Sequence, residues 1–216
     1  MILLLHGALA TAQDMEPLKK LLPPETLSLT FQGHDNRPLP EDFRIETFME
    51  ELDQYFIDHK MQNVTVVGHS MGGYVALSHA ALAENSPICR IITYGTKFDW
   101  SDKALAGMLA TLHPENEALM DYLKKKFQDK GLPLLLATTH MMAHLERLDG
   151  LLEADLEDVQ IPVEIVLGEK DKVVSLAESQ AIVDLLPHGQ LHILKESRHE
   201  IERADLAGLA RIILGQ

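Results

Sequence analysis

The sequence predicts an α/β protein built as a doubly wound parallel sheet of about six strands. Three observations carry that reading. Apolar strand-like runs alternate with helical patterns over residues 1–94 and again after residue 163. Such alternation calls for a parallel sheet with helices on both faces. Between the two stretches, residues 96–160 carry only helical patterns. The third observation is Val64-Thr65-Val66-Val67 running into Gly68-His69-Ser70-Met71-Gly72 and then a small-residue helical stretch. That is a strand, a sharp turn and a helix with one serine at the apex.

Taken in order, residues 1–5 read as a fully buried strand and residues 6–10 as a small-residue loop. Asp14 is expected to cap a helix running to about Leu22, with Pro17 tolerable in its first turn and Pro23-Pro24 ending it. Residues 26–31 form a second strand, and Phe48, Leu52, Tyr55 and Phe56 set a helical spacing within 43–59. The serine turn follows, then a fourth strand over 88–94 in which Cys89 reads as a buried core thiol. Helical pieces over 101–112, 115–128 and 132–148 are best read as a lid or cap over one edge of the sheet. Alternation resumes with a strand at 163–167 and a helix whose Ser175 and Glu178 have capping-box spacing. A last strand at 191–194 and a last helix at 201–214 complete the expected single domain of residues 1–216.

Composition narrows the function classes. With 46% hydrophobic and 24% charged residues the chain reads as an ordinary globular protein. A formal net charge of −14 disfavours nucleic acid and anionic membranes as partners. Lys124-Lys125-Lys126 reads as the solvated face of a helix. A single cysteine permits no internal disulfide, no apolar run approaches the ~20 residues of a membrane span, and the apolar opening lacks a basic leader, so a cytoplasmic location is expected. Phosphate-cradling and dinucleotide fingerprints are absent, so no cofactor is implied. His140 and His144 have the i, i+4 spacing of metal ligands, but no third ligand is near in sequence and no metal is expected.

The turn points to nucleophilic catalysis. It exposes the Ser70 hydroxyl above the sheet and sets the Met71 amide at a helix N-terminus, where an oxyanion would be stabilised. A serine needs a base, and the base needs an acid to fix its tautomer. His199 follows the sixth strand and Asp171 the fifth, giving the order Ser70, Asp171, His199 expected of nucleophile-elbow hydrolases. Glu169 and Asp99 are rival acids.

With these residues in place the chain resembles the α/β-hydrolase superfamily, in its single-domain, cap-bearing serine-esterase branch. His6-Gly7 resembles the oxyanion loop and Gly33-His34-Asp35 the glycine-rich loop after the next strand. Gly68-His69-Ser70-Met71-Gly72 resembles the nucleophile elbow. Gly168-Glu169-Lys170-Asp171-Lys172-Val173-Val174 resembles the acid loop and Arg198-His199-Glu200-Ile201-Glu202 the histidine loop. The resemblance implies Ser70 as nucleophile, His199 as general base and then acid, Asp171 as its orienting partner, and the amides of Ala8 and Met71 as the oxyanion hole. Two departures stand out. The sequence opens directly on the His-Gly strand, without the family's usual N-terminal hairpin, and Arg198 occupies the usual glycine position before the histidine.

The expected reaction is hydrolysis of a carboxylic ester or thioester of a small, fairly apolar substrate. C–C hydrolysis, lyase or acyl-transfer chemistry on the same triad is the alternative, and a non-catalytic binding protein is a third reading. Phe98 and Trp100 at the start of the helical segment, with Met141 and Met142 in its third piece, are candidates to line an apolar pocket above Ser70. Leu9, His69 and Val173, beside the site in sequence, complete the candidate pocket.

Overall fold

The structure is a computed structural model that describes residues 1–147 and 153–216. Its strands are β1 (Ile2–Leu5), β2 (Leu27–Leu29), β3 (Val64–His69), β4 (Ile88–Tyr94), β5 (Val163–Gly168) and β6 (Gly189–Leu194). Every pairing is parallel, in the order β2-β1-β3-β4-β5-β6. The order reverses between β1 and β3. At such a point the loops leaving two neighbouring strands diverge and open a crevice at their carboxyl ends.

Strand periodicity sorts the core into two layers. Leu3, Leu5, Val66, Ile91 and Ile165 face one side, where α2 (Ile45–Asp58) and α3 (Met71–Leu82) cover them with Phe48, Leu52 and Val75. Leu4, Val67, Ile92 and Val166 face the other, beneath Leu18 of α1 (Glu16–Lys19) and Leu209 and Ile213 of α9 (Leu206–Leu214). Between β4 and β5 lie α4 (Asp102–Thr111), α5 (Glu117–Phe127), α6 (Gly131–Arg147) and α7 (Glu153–Glu157). The expected end of the third helical piece, Leu148, lies outside the described residues. After β5, α8 (Leu176–Leu185) begins at the expected capping box, in which Ser175 Oγ accepts the Glu178 amide at 3.1 Å.

Four expectations change. The first helix is a 3-10 turn over Ala12–Met15 and only one α-turn after it. Asp14 sits three residues inside the cap, where Oδ2 accepts the Thr11 amide at 2.6 Å. The last helix starts at Asp205, whose side chain accepts the Gly208 amide; a separate 3-10 turn precedes it. Cys89 is exposed, because the register of β4 on β3 shifts there: Val64 pairs with Ile88 and Thr65 with Arg90, which leaves Cys89 as the extra residue of a bulge. Lys126 leaves the solvated row of its neighbours and turns inward to Asp14.

Three histidines are buried in the neutral form. His6 donates from Nδ1 to the Gly7 carbonyl at 2.7 Å and accepts the Phe31 amide on Nε2 at 3.0 Å. Burial pulls its pKa well below the ordinary 6.5 and takes His34 and His69 to about 4. In the unfolded chain the same rings protonate near 6.5, so below that pH the unfolded state binds more protons and stability falls until the folded rings also titrate. Urea unfolding should therefore show stability dropping by about 1.4 kcal/mol per pH unit for each ring between pH 6.5 and 4. His34→Phe should flatten that slope by roughly a third, one ring in three. A pH-independent stability across this window would contradict the neutral burial of these rings.

Candidate active site

Ser70 ends β3 and begins α3 with φ 49° and ψ −115°, a left-handed geometry that a residue with a side chain adopts only under constraint. The neighbours supply that constraint. A Cβ on Gly68 would lie 2.2 Å from the Gly73 nitrogen, and one on Gly72 would lie 2.6 Å from the Leu5 carbonyl oxygen. Only glycine lets the strand and helix fold back this tightly and lets α3 press on β1. The Ser70 amide donates to the Tyr94 carbonyl at 2.9 Å, and the Thr96 hydroxyl donates to the Ser70 carbonyl at 3.0 Å. A second left-handed residue, Leu9 at φ 57°, turns the loop after β1 toward the same point.

The acid and histidine loops converge from β5 and β6. Asp171 Oδ1 accepts the Val173 and Val174 amides at 2.7 and 2.9 Å, and Oδ2 lies 3.0 Å from His199 Nδ1. Its side chain is 1% exposed. Burial pushes this carboxyl up, but the His199 hydrogen bond and charge, with the two amides, outweigh it and hold the pKa below the ordinary carboxylate value. Acceptance by Asp171 keeps the proton on Nδ1 and leaves Nε2 of a neutral His199 as the acceptor. The histidine loop is itself pinned. Tyr94 donates its hydroxyl to the Arg198 carbonyl, and His69 donates from Nε2 to the His199 carbonyl at 2.9 Å.

The rival acids stand elsewhere. Glu169 accepts the Glu196 amide at 3.0 Å, and Asp99 accepts the Ser101 amide at 3.0 Å. His140 and His144 meet at 3.1 Å between their Nε2 atoms, and among the described residues no group of three or more metal-ligating side chains is assembled.

Two cavities adjoin Ser70. The first is apolar and includes Ala8, Ser70, Met71, Trp100, Met141, Met142 and Val173 in its wall; a water centre has only about 30 Å³ in which to move. The second, about 360 Å³ on the same measure, brings Leu9, His69 and His199 to Ser70, with Asp14, Lys126, Glu200 and Glu202 around them. The sequence-derived pocket residues thus divide between two spaces. Phe98 lines neither: its amide is bound to Glu178 at 2.6 Å, and its ring packs toward Tyr74 at 6.1 Å between centroids. Arg198 is exposed and likewise lines neither. Sequence reasoning missed Ile45, Tyr74, Lys97 and Met108 in the first wall. Lys97 carried no motif, since its placement depends on a contact with Glu178, 81 residues away.

A model of the alpha/beta hydrolase family matches residues 2–210, and the chain belongs to that family. It is 25% identical over 187 residues to the protein named "Putative carbamate hydrolase RutD" from Cronobacter turicensis, an alignment covering 77% of this chain and 70% of that one. Among solved structures it is similar to a bromoperoxidase from Bacillus anthracis, with TM-score 0.78, 17% identity and coverage of 100% of this chain and 91% of the other. An esterase from Exiguobacterium antarcticum also has TM-score 0.78, at 19% identity, covering 99% of this chain and 90% of the esterase. At these identities the structural likenesses establish the fold; the family match makes the protein a hydrolase-family member.

The elbow geometry makes a stability prediction. Gly68→Ala drives a Cβ into backbone that cannot yield, and should lower unfolding free energy by about 3 kcal/mol or more. Chemical denaturation measures it; a change below ~1 kcal/mol would contradict the tight turn.

Proposed function

We propose that this alpha/beta hydrolase is a serine hydrolase acting on a carboxylic ester or thioester of a small substrate through an acyl-enzyme. The observation that carries the reading is the Asp171–His199 hydrogen bond at 3.0 Å beside a serine held in strained geometry. His199, fixed with Nδ1–H toward Asp171, takes the Ser70 proton on Nε2 as the oxygen attacks the carbonyl. The Ala8 and Met71 amides receive the oxyanion, Met71 with the help of the α3 N-terminus. The same imidazole protonates the leaving alcohol or thiol, then activates water to release the acid. Among the described residues no hydrogen bond links the Ser70 hydroxyl to His199. The pair closes when substrate fills the site, as unliganded catalytic hydrogen bonds commonly do.

The two cavities suggest how substrate lies. The leaving group must sit within reach of the general acid, so it occupies the larger cavity, which includes His199. The acyl group then enters the narrow apolar cavity beside Met71. In this reading α4–α6 act as a cap on one domain, Trp100, Met108, Met141 and Met142 forming its inner wall. Methionine walls yield to an entering chain, but only to a short one. Small carbamates are the second class to try, because a curated relative bears that name. A cytoplasmic setting belongs to the same reading, supported by a free, exposed Cys89; no helix among the described residues is long and apolar enough to cross a membrane.

Two outcomes test this. Asp171→Asn presents an amide N–H to His199 and reverses its tautomer; kcat should fall by about 10⁴-fold. A nearly unchanged rate would remove Asp171 from the mechanism. Across acetyl to octanoyl esters, kcat/KM should rise by up to about fourfold per methylene over the first members and fall once the narrow cavity is full. A series still climbing at octanoyl would contradict the narrow acyl site.

A further inference from the structure

The acyl cavity is largely apolar, and among the described residues Lys97 is the one charged side chain in its wall. Its side chain is 9% exposed, and its Nζ has one acceptor, Glu178 Oε1, at a long 3.5 Å. That oxygen is already engaged, accepting the Phe98 and Asp99 amides at 2.6 and 2.7 Å. An ammonium has three donors, so a buried lysine with one weak partner retains hydrogen-bonding capacity that burial makes costly to leave unused. Trp100 lines the same cavity, and its Nε1–H is buried with no hydrogen-bond partner among the described residues. Two incompletely satisfied donors in one otherwise apolar wall call for an acceptor from outside the protein.

Charge indicates which acceptor. Lys97, Met108 and Val173 also face an outer groove that carries Lys103 and Lys172 against a single carboxylate, Asp99. On a chain of net charge −14, that concentration of lysines at the rim of the acyl cavity is a local reversal of sign. The leaving-group cavity has the opposite balance: Asp14, Glu200 and Glu202 against Lys126, whose ammonium Asp14 already binds at 2.7 and 2.8 Å.

We propose that the substrate is anionic on its acyl side only: a short acyl group ending in a carboxylate held by Lys97 and Trp100, joined to a neutral or cationic leaving group. This inference rests on the serine-hydrolase reading above and adds the substrate's charge and its orientation. Lys97 is a specificity-determining residue; it does not touch the scissile bond. The carboxylate threads past the methionines and leaves the ester carbonyl at Ser70, while the acidic lining of the second cavity turns away any leaving group bearing negative charge.

The test uses three esters of similar size. Ethyl hydrogen succinate carries its carboxylate on the acyl side, its isomer butyryloxyacetate carries it on the leaving side, and ethyl butyrate carries none. Wild-type kcat/KM should be about 10- to 100-fold higher for ethyl hydrogen succinate than for ethyl butyrate, the range set by a charge-assisted hydrogen bond. Butyryloxyacetate should be the poorest of the three. Because the two anions are isomers of equal charge, attraction to the protein as a whole cannot separate them. Lys97→Met should cut the succinate-to-butyrate ratio to within about threefold of unity, a change of ratio that general damage to the fold would not produce. The wild-type comparison alone decides the matter if that variant does not fold. Ser70-dependent hydrolysis of ethyl butyrate with no preference for ethyl hydrogen succinate overturns this inference and leaves the hydrolase reading intact. Absence of Ser70-dependent hydrolysis for all three overturns the ester-hydrolase reading and this inference with it.

Discussion

The close approach of β3, α3 and β1 around Ser70 is the constraint on which the rest depends. A serine at φ 49° is tolerable only because the chain cannot relax it. Gly68 lets the helix fold back on its own strand, Gly72 lets it touch the Leu5 carbonyl, and Tyr94 and Thr96 hold the serine backbone from β4. The strain is therefore met by packing across three central strands. Those strands are largely buried, with apolar side chains on both faces. Local geometry at one residue and global stability are thus parts of one balance.

The other site elements are hung on the same edge by bonds of a different kind. The loop after β5 is held through Asp171, which gathers two amides and an imidazole, and the loop after β6 through carbonyls of Arg198 and His199 that Tyr94 and His69 grip. His69 can serve this way because burial keeps it neutral, with its pKa near 4. A charged ring there would oppose the protonated His199 that the proposed mechanism calls for. The helices between β4 and β5 are tied in differently: the Glu178 carboxylate, buried at 7% exposure, accepts the Ser175 amide in the α8 capping box and at the same time receives two amides at the start of the helical segment. One carboxylate so links the start of the helical segment to α8 and holds Lys97 beside the narrow cavity.

Much of this was legible in the sequence, for identifiable reasons. Strands on both of whose faces helices pack are written as continuous apolar runs, so β1, β3, β4 and β5 announce themselves, and the parallel order follows from alternation. Ser70, Asp171 and His199 were legible because each follows a strand end and carries its own local signature. The Ser175–Glu178 capping box was legible for the same reason, since both partners lie within one turn. What escaped depends on contacts between distant segments. The second role of Glu178, the inward turn of Lys126 to Asp14 and the removal of Phe98 from the pocket all depend on partners 79 or more residues apart. Cys89 was misread because apolar neighbours imply a buried strand but do not reveal a bulge, which is set by the register with β3.

The central claim, that Ser70 is acylated during turnover, is most directly tested by rapid acid quench of the enzyme with a slowly deacylating ester, followed by peptide mass mapping. An acyl mass increment is expected on the peptide containing Ser70, and none in Ser70→Ala. An adduct on a different residue, or turnover by Ser70→Ala at the wild-type rate, would contradict it.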